Sequence, residues 1–138
     1  MTTTHVWYDV KQQEADVRDP AGLDALIYEL AAGPEPIMLS LFRPEDVVDG
    51  MRPEIEFLVG IGRDPRFALI QCGDLDGLWY TLSASTGDQG EVFYNYMHNA
   101  TDYPANAEVP IAQVVAAVHE FAATGKRPSA VAWQRVER

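Results

Sequence analysis

Between residues 55 and 97 the chain offers four short apolar or aromatic runs, at 55–61, 67–72, 78–83 and 91–97. The segments joining them are too short for a parallel crossover, which needs a dozen or more residues. The runs are therefore strands that run mostly antiparallel. In the first, Ile55, Phe57, Val59 and Ile61 alternate with Glu56, Leu58 and Gly60, the period of a strand with two distinct faces. Arg63-Asp64-Pro65 reads as a turn and Gly73-Asp74-Leu75-Asp76-Gly77 as a hairpin loop. There Asp76-Gly77 supplies the positive φ that a tight turn needs.

The flanks complete the fold class. His5-Val6-Trp7-Tyr8 is a β-branched and aromatic strand candidate. Asp19 before Pro20 is a helix start, Leu23, Leu26, Ile27 and Leu30 follow at helical spacing, and Gly33-Pro34 ends the helix. Residues 37–42 are nearly continuous apolar, as a central strand should be. Pro110 opens a second helix, and Ile111, Val114, Val115, Val118 and Phe121 form its apolar stripe. Gly125 closes that helix, with Lys126 and Arg127 where positive charge favours its C-terminus. Residues 130–136, containing Trp133, form the last strand. The predicted order is β-α-β-β-β-β-β-α-β. It describes one α+β domain over residues 1–138, a largely antiparallel sheet of about six to seven strands with two helices packed on it.

A chain of 138 residues buries roughly 68% of its unfolded surface, so a core can form without staples. The single cysteine, Cys72, has no internal partner, which fits a reducing compartment. No basic leader followed by an apolar stretch opens the sequence, and no apolar run approaches the ~20 residues of a membrane helix. The expected location is the cytoplasm. Charge narrows the partners: 10 Lys and Arg face 21 Asp and Glu, a net −11. Such a field repels nucleic acid and anionic membrane and attracts basic partners. Between Arg66 and Lys126 there is no Lys or Arg, yet the stretch holds Asp74, Asp76, Asp88, Glu91, Asp102, Glu108 and Glu120.

Chemistry has little to stand on. His5, His98 and His119 are scattered, and neither they nor Cys72 form a metal-ligand spacing. Asp74-Leu75-Asp76-Gly77 lacks the further ligands of a calcium loop. Gly60-Ile61-Gly62 leads to another strand, not to the helix N-terminus a phosphate site uses. No nucleophile elbow or Cys-His arrangement is present. The reading is a non-enzyme without metal or cofactor. The alternative is a small-molecule-binding or enzymatic domain with a pocket between the sheet and the second helix.

Aromatics accompany the acids: Trp79, Tyr80, Phe93, Tyr94, Tyr96, Tyr103 and Trp133. Trp79 and Tyr80 face opposite sides of a strand, as do Phe93 and Tyr94, so one of each pair belongs to the core. Exposed aromatics among carboxylates suit an interface that receives Arg and Lys. The expected partner-facing residues are Asp74, Asp76, Trp79, Asp88, Asp102 and Tyr103, the last in a stiff exposed turn before Pro104. No cation within the segment can neutralise these acids, and reversing Asp74 and Asp76 together should leave the fold intact. Monomer and homodimer both remain open.

Several stretches resemble a known family. They are His5-Val6-Trp7-Tyr8-Asp9, Leu58-Val59-Gly60-Ile61-Gly62-Arg63-Asp64, Asp102-Tyr103-Pro104, Ala107-Glu108-Val109-Pro110, Ala123-Thr124-Gly125-Lys126-Arg127-Pro128 and Val131-Ala132-Trp133-Gln134. Together they resemble the first-numbered immunity-protein family of bacterial polymorphic toxin systems, common in actinobacteria. The resemblance implies a protein that binds and neutralises the toxin encoded beside it, often a nucleic-acid deaminase, through the toxin's basic surface. It also implies roles for a glutamate and for tryptophans, which fall on Glu108 and Trp133 and, less closely, on Trp7. Two structural roles compete: Glu108 as a cap of the helix that follows, and Trp133 as core. Met97-His98-Asn99-Ala100 stands where the family often has Gly-His-Trp, which implies a different cognate toxin.

Overall fold

In the computed structural model the described residues are 3–9, 11–14, 16–33, 35–46, 55–84, 90–97 and 99–136. The strands are β1 (Thr4–Trp7), β2 (Asp16–Arg18), β3 (Ile37–Phe42), β4 (Glu56–Ile61), β5 (Phe67–Asp74), β6 (Gly77–Thr81), β7 (Glu91–Tyr96), β8 (Asn99–Pro104), β9 (Val109–Pro110) and β10 (Trp133–Arg135). The helices are α1 (Pro20–Ala31) and α2 (Ile111–Thr124), with short 3-10 turns at Pro44–Asp46 and Ala105–Ala107. The α+β class and the two helices are as expected, but among the described residues the sheet has ten strands where six to seven were predicted. The additional ones are β2, β8 and β9. Two of these are only three and two residues long. The third, β8, reads Asn-Ala-Thr-Asp-Tyr-Pro, a composition poor in strand formers that is held by its pairing with β7.

The main path of the sheet runs β10-β6-β5-β4-β3-β1-β2. Among the described residues every pairing is antiparallel except one parallel bridge, Ile37 with Asn95, between β3 and β7. The helices cover one face. Asp19 caps α1 by accepting from the Gly22 amide at 2.8 Å, and Gly125 ends α2 in the left-handed conformation at φ 69°. Leu23, Leu26, Ile27, Val114, Val118 and Phe121 pack on Val6, Leu39, Leu41, Phe57, Val59, Ile61 and Ile70. Phe57 stacks on Phe121 with centroids 4.2 Å apart and planes 6° off parallel. This packing ties the sheet to α2. His119 Nε2 lies 2.6 Å from Asp24 Oδ1 and ties α2 to α1.

The opposite face of the sheet has its own core. Met38, Leu58, Leu69, Tyr94, Tyr103 and Ala107 are buried there, with Tyr80, Val92 and Tyr96 packed around them. The β7–β8 hairpin is folded across this face and the inner side chains of β7 and β8 form the contact. Gly62 lets the chain turn at one end of β4: its φ is +98°, and a Cβ there would lie 1.9 Å from the Glu35 carbonyl oxygen.

Candidate functional site

The β7–β8 hairpin sorts its residues by strand alternation. Val92 pairs with Tyr103, Tyr94 with Thr101 and Tyr96 with Asn99; Glu91 pairs with Pro104, Phe93 with Asp102 and Asn95 with Ala100. The first set contains the residues of the second core. Tyr103 is 2% exposed, so the expectation of an exposed ring in a turn is corrected. It is a core residue of β8, edge-on to Tyr80 and Tyr94. Its hydroxyl donates to Gln71 Oε1 at 2.6 Å, and burial raises its phenol well above the ordinary value. The second set faces away from that core: Glu91, Phe93 and Asp102 are all exposed.

Beside the hairpin, Glu108 joins three elements. Its carboxylate receives both Arg63 Nε, at 2.7 Å, and Arg63 Nη2. The Tyr94 hydroxyl donates to the same carboxylate at 2.6 Å. Burial first, and then the hydrogen bond to Glu108, push the Tyr94 phenol strongly upward, so it stays neutral. The Glu108 side chain is 8% exposed. It does not cap α2, whose start has no side-chain cap. The capping role is therefore overturned in favour of a clip between the β4–β5 turn, β7 and the approach to α2.

At the β5–β6 tip the acids divide. Asp74 Oδ1 accepts from the Asp76 and Gly77 amides at 2.9 and 3.2 Å and from Trp79 Nε1 at 3.2 Å. Its Oδ2 accepts from Arg127 Nη1 at 3.2 Å. Arg127 also lies over the Trp79 ring, 3.9 Å from its centroid, with Arg135 at 5.8 Å. The sequence segment lacks cations, but the fold brings them from beyond it. Asp74 is thus neutralised from outside the segment, against the expectation drawn from sequence distance. Arg127, read as a complement to the α2 C-terminus, is committed to this cluster. Asp76 remains exposed, next to Leu75, which is 86% exposed.

Trp133 is half-buried against the helix-side core and donates from Nε1 to the Pro128 carbonyl at 2.7 Å, so its contacts fit the core role. Trp7 is half-buried in β1. Asp88 and His98 lie outside the described residues. Among the described residues, no group of three His, Cys, Asp or Glu side chains is placed to hold a metal, and no helix is long and apolar enough to cross a membrane. Burial pushes the Cys72 thiol up to about 12, which removes it as a nucleophile near neutral pH.

Residues 11–135 match the family described as Immunity protein Imm1. The chain belongs to the Imm1 family. The match spans both helices and every strand but β1, so it covers the Glu108 clip, the Asp74 cluster and the whole β7–β8 hairpin. No curated protein matches the chain. Membership makes this an immunity protein, and the partner of an immunity protein is a toxin. For this Imm1 protein the structure separates the predicted residues into two groups. Asp74, Trp79, Tyr103, Glu108 and Trp133 are engaged in internal contacts, whereas Asp76 and Asp102 face outward. Sequence reasoning missed Arg63 as the partner of Glu108, 45 residues away, and no local pattern announces it. It also passed over Glu91 and Phe93 as a surface pair, although their alternation with Val92 and Tyr94 carries that signal.

Proposed function

We propose that this Imm1 protein binds and neutralises a cognate toxin that attacks nucleic acid, a deaminase first among the candidates, by filling the toxin's basic substrate groove. A groove that holds a polyanion must present Lys and Arg. An acidic protein seated in it excludes substrate without chemistry of its own, so the inhibitor acts stoichiometrically and not as an enzyme. The single observation that carries this reading is the charge of −11, with 59 residues that contain no Lys or Arg separating Arg66 from Lys126. Family membership supplies the toxin as partner; the charge supports the kind of toxin.

In this reading Asp102 meets the partner, Asp76 adds to the acidic field from the β5–β6 tip, and Asp88 belongs with them by sequence. Asp74, Trp79, Tyr103, Glu108 and Trp133 hold the surface in shape. Inhibition takes place in the cytoplasm of the producing cell, where such a toxin would find its substrate. The test is to mix the protein with the C-terminal domain of the toxin encoded beside its gene. Toxin activity should vanish at one equivalent, and the association rate should fall steeply as salt rises. A rate flat across salt would assign the charge to solubility and sink the groove mechanism.

A further inference from the structure

Resting on the reading of this protein as a toxin inhibitor, we infer that the outward face of the β7–β8 hairpin is the docking platform. Its occupant is a basic surface of the toxin that places one Arg or Lys side chain in the cavity beside Asn95. The platform has three parts. Phe93 stands at its centre, 52% exposed, with Glu91 on its own strand and Asp102 directly across. Phe93 is not part of the hairpin's inner core, which is built from the other side of both strands. Neither β7 nor β8 contains a Lys or Arg, so the charges these two strands add to the face are all negative.

The third part is a cavity of about 350 Å³ where the ends of β1 and α1 meet the start of β3 and the end of β7. Asn95 lines it and also belongs to the outward row of β7, so face and cavity are continuous. Glu35 and Tyr8 are among its lining residues, and no Lys or Arg is among the described ones. A concave site with a carboxylate and a ring is suited to a long cationic side chain, whose stem packs while its head is hydrogen-bonded. A filled pocket next to a buried aromatic is the arrangement in which binding energy concentrates. The hairpin is also a rigid mount, since Tyr94 and Tyr103 anchor its inner face at 0 and 2% exposure.

The β5–β6 tip is the competing surface, with Leu75 and Asp76 exposed. It is the weaker one for a basic partner, because Arg127 and Arg135 sit beside it on Trp79.

The deciding experiment measures affinity for the C-terminal domain of the neighbouring toxin by calorimetry, with melting temperature as a control for each variant. Phe93→Ser and Glu35→Lys should each raise Kd at least ~tenfold while melting normally. The double variant Glu91→Lys, Asp102→Lys should lower the association rate. Phe93→Leu should keep most of the affinity, and Leu75→Ser and Asp76→Lys should stay within about twofold of the parent. Tight binding by the parent, unchanged by the face variants but lost in the tip variants, overturns this inference and leaves the inhibitor reading standing. No binding by the parent overturns both. A dimer in sedimentation that Phe93→Ser dissociates would assign the face to a second copy of this chain and overturn the toxin as its occupant.

Discussion

At the tip of the β5–β6 hairpin the Asp74 side chain is 14% exposed and bound to Arg127, Trp79 and two turn amides. In the β7–β8 hairpin Asp102 and Glu91 are exposed around Phe93, and neither strand supplies a cation. Both hairpins come from the same Lys- and Arg-free stretch of sequence. The first has its charge neutralised by residues from beyond α2, which the fold returns to it; the second keeps its charge for solvent or a partner. Counting acids along a chain thus measures the field of the whole molecule, whereas the residues that fold back decide where the field emerges.

The comparison breaks first on the two faces of the β7–β8 hairpin. Tyr103→Ala removes a fully buried ring and its hydrogen bond to Gln71, and should cost about 3–4 kcal/mol of stability. Phe93→Ala, on the partner strand but the other face, should stay within about 0.5 kcal/mol. Urea unfolding of the two variants checks this. Equal losses would mean that the hairpin is not folded over the sheet as described.

Glu108 gives the next effect. Its removal leaves the Tyr94 hydroxyl without its acceptor and Arg63 without its partner. Breaking a buried pair costs about 3–5 kcal/mol, but the Arg63 side chain is 40% exposed and water recovers part of that. Glu108→Ala should therefore cost about 2 kcal/mol. Tyr94→Phe, which deletes the hydroxyl as well as its need for a partner, should cost about half as much. Thermal or urea unfolding separates them. Toxin affinity measured on the same variants sharpens the contrast: a clip that only shapes the surface loses stability before it loses binding.

Asp74 and Asp76 come third. Asp74→Lys would place a cation beside Arg127 and strip the turn amides and Trp79 of their acceptor, and should cost about 1–2 kcal/mol. Asp76→Lys, at an exposed position, should stay within about 0.5 kcal/mol. The two acids are held differently, so reversing both together should cost about what Asp74→Lys costs alone, where their common loop suggested no cost. Equal unfolding midpoints for the two single variants would return Asp74 to the surface class.

What was legible followed from periodicity. The central strands and both helices announce themselves because one buried face imposes a period of two or 3.6 on the sequence. β8 did not, because a strand held by pairing and by one buried tyrosine needs no alternating apolar pattern of its own. The same tyrosine misled the reading of the site: Asp102-Tyr103-Pro104 has the composition of a turn, but Tyr103 points into a core that it shares with Met38, Leu58 and Leu69, all far away in sequence. Arg63 with Glu108 and Arg127 with Asp74 were illegible for a like reason. A charged pair separated by 45 or 53 residues leaves no trace in local sequence, and only the strand order brings its members together.

The smallest effect tests a third way of holding an acid, within a single turn. Asp64 accepts from Arg66 through its amide at 3.0 Å and through its guanidinium at 3.1 and 2.9 Å. The Arg66 side-chain bonds first, and then its amide, lower the Asp64 carboxyl from 3.8 to about 2. The folded value lies below the unfolded one, so this contact adds stability above about pH 4, where the carboxylate is charged in both states. The contribution is lost as pH falls toward 2 and the folded carboxylate takes up its proton. The Arg66 side chain is 76% exposed, so salt screens the pair and the gain is slight. Carbon-detected NMR titration should place the Asp64 midpoint near 2 at low salt, and Arg66→Ala should bring it back toward 3.8. A midpoint already near 3.8 in the parent would show that this turn does not hold its acid. Arg127 at the β5–β6 tip would then be the better example of what a cation needs in order to hold one: a half-buried site with a ring beneath it.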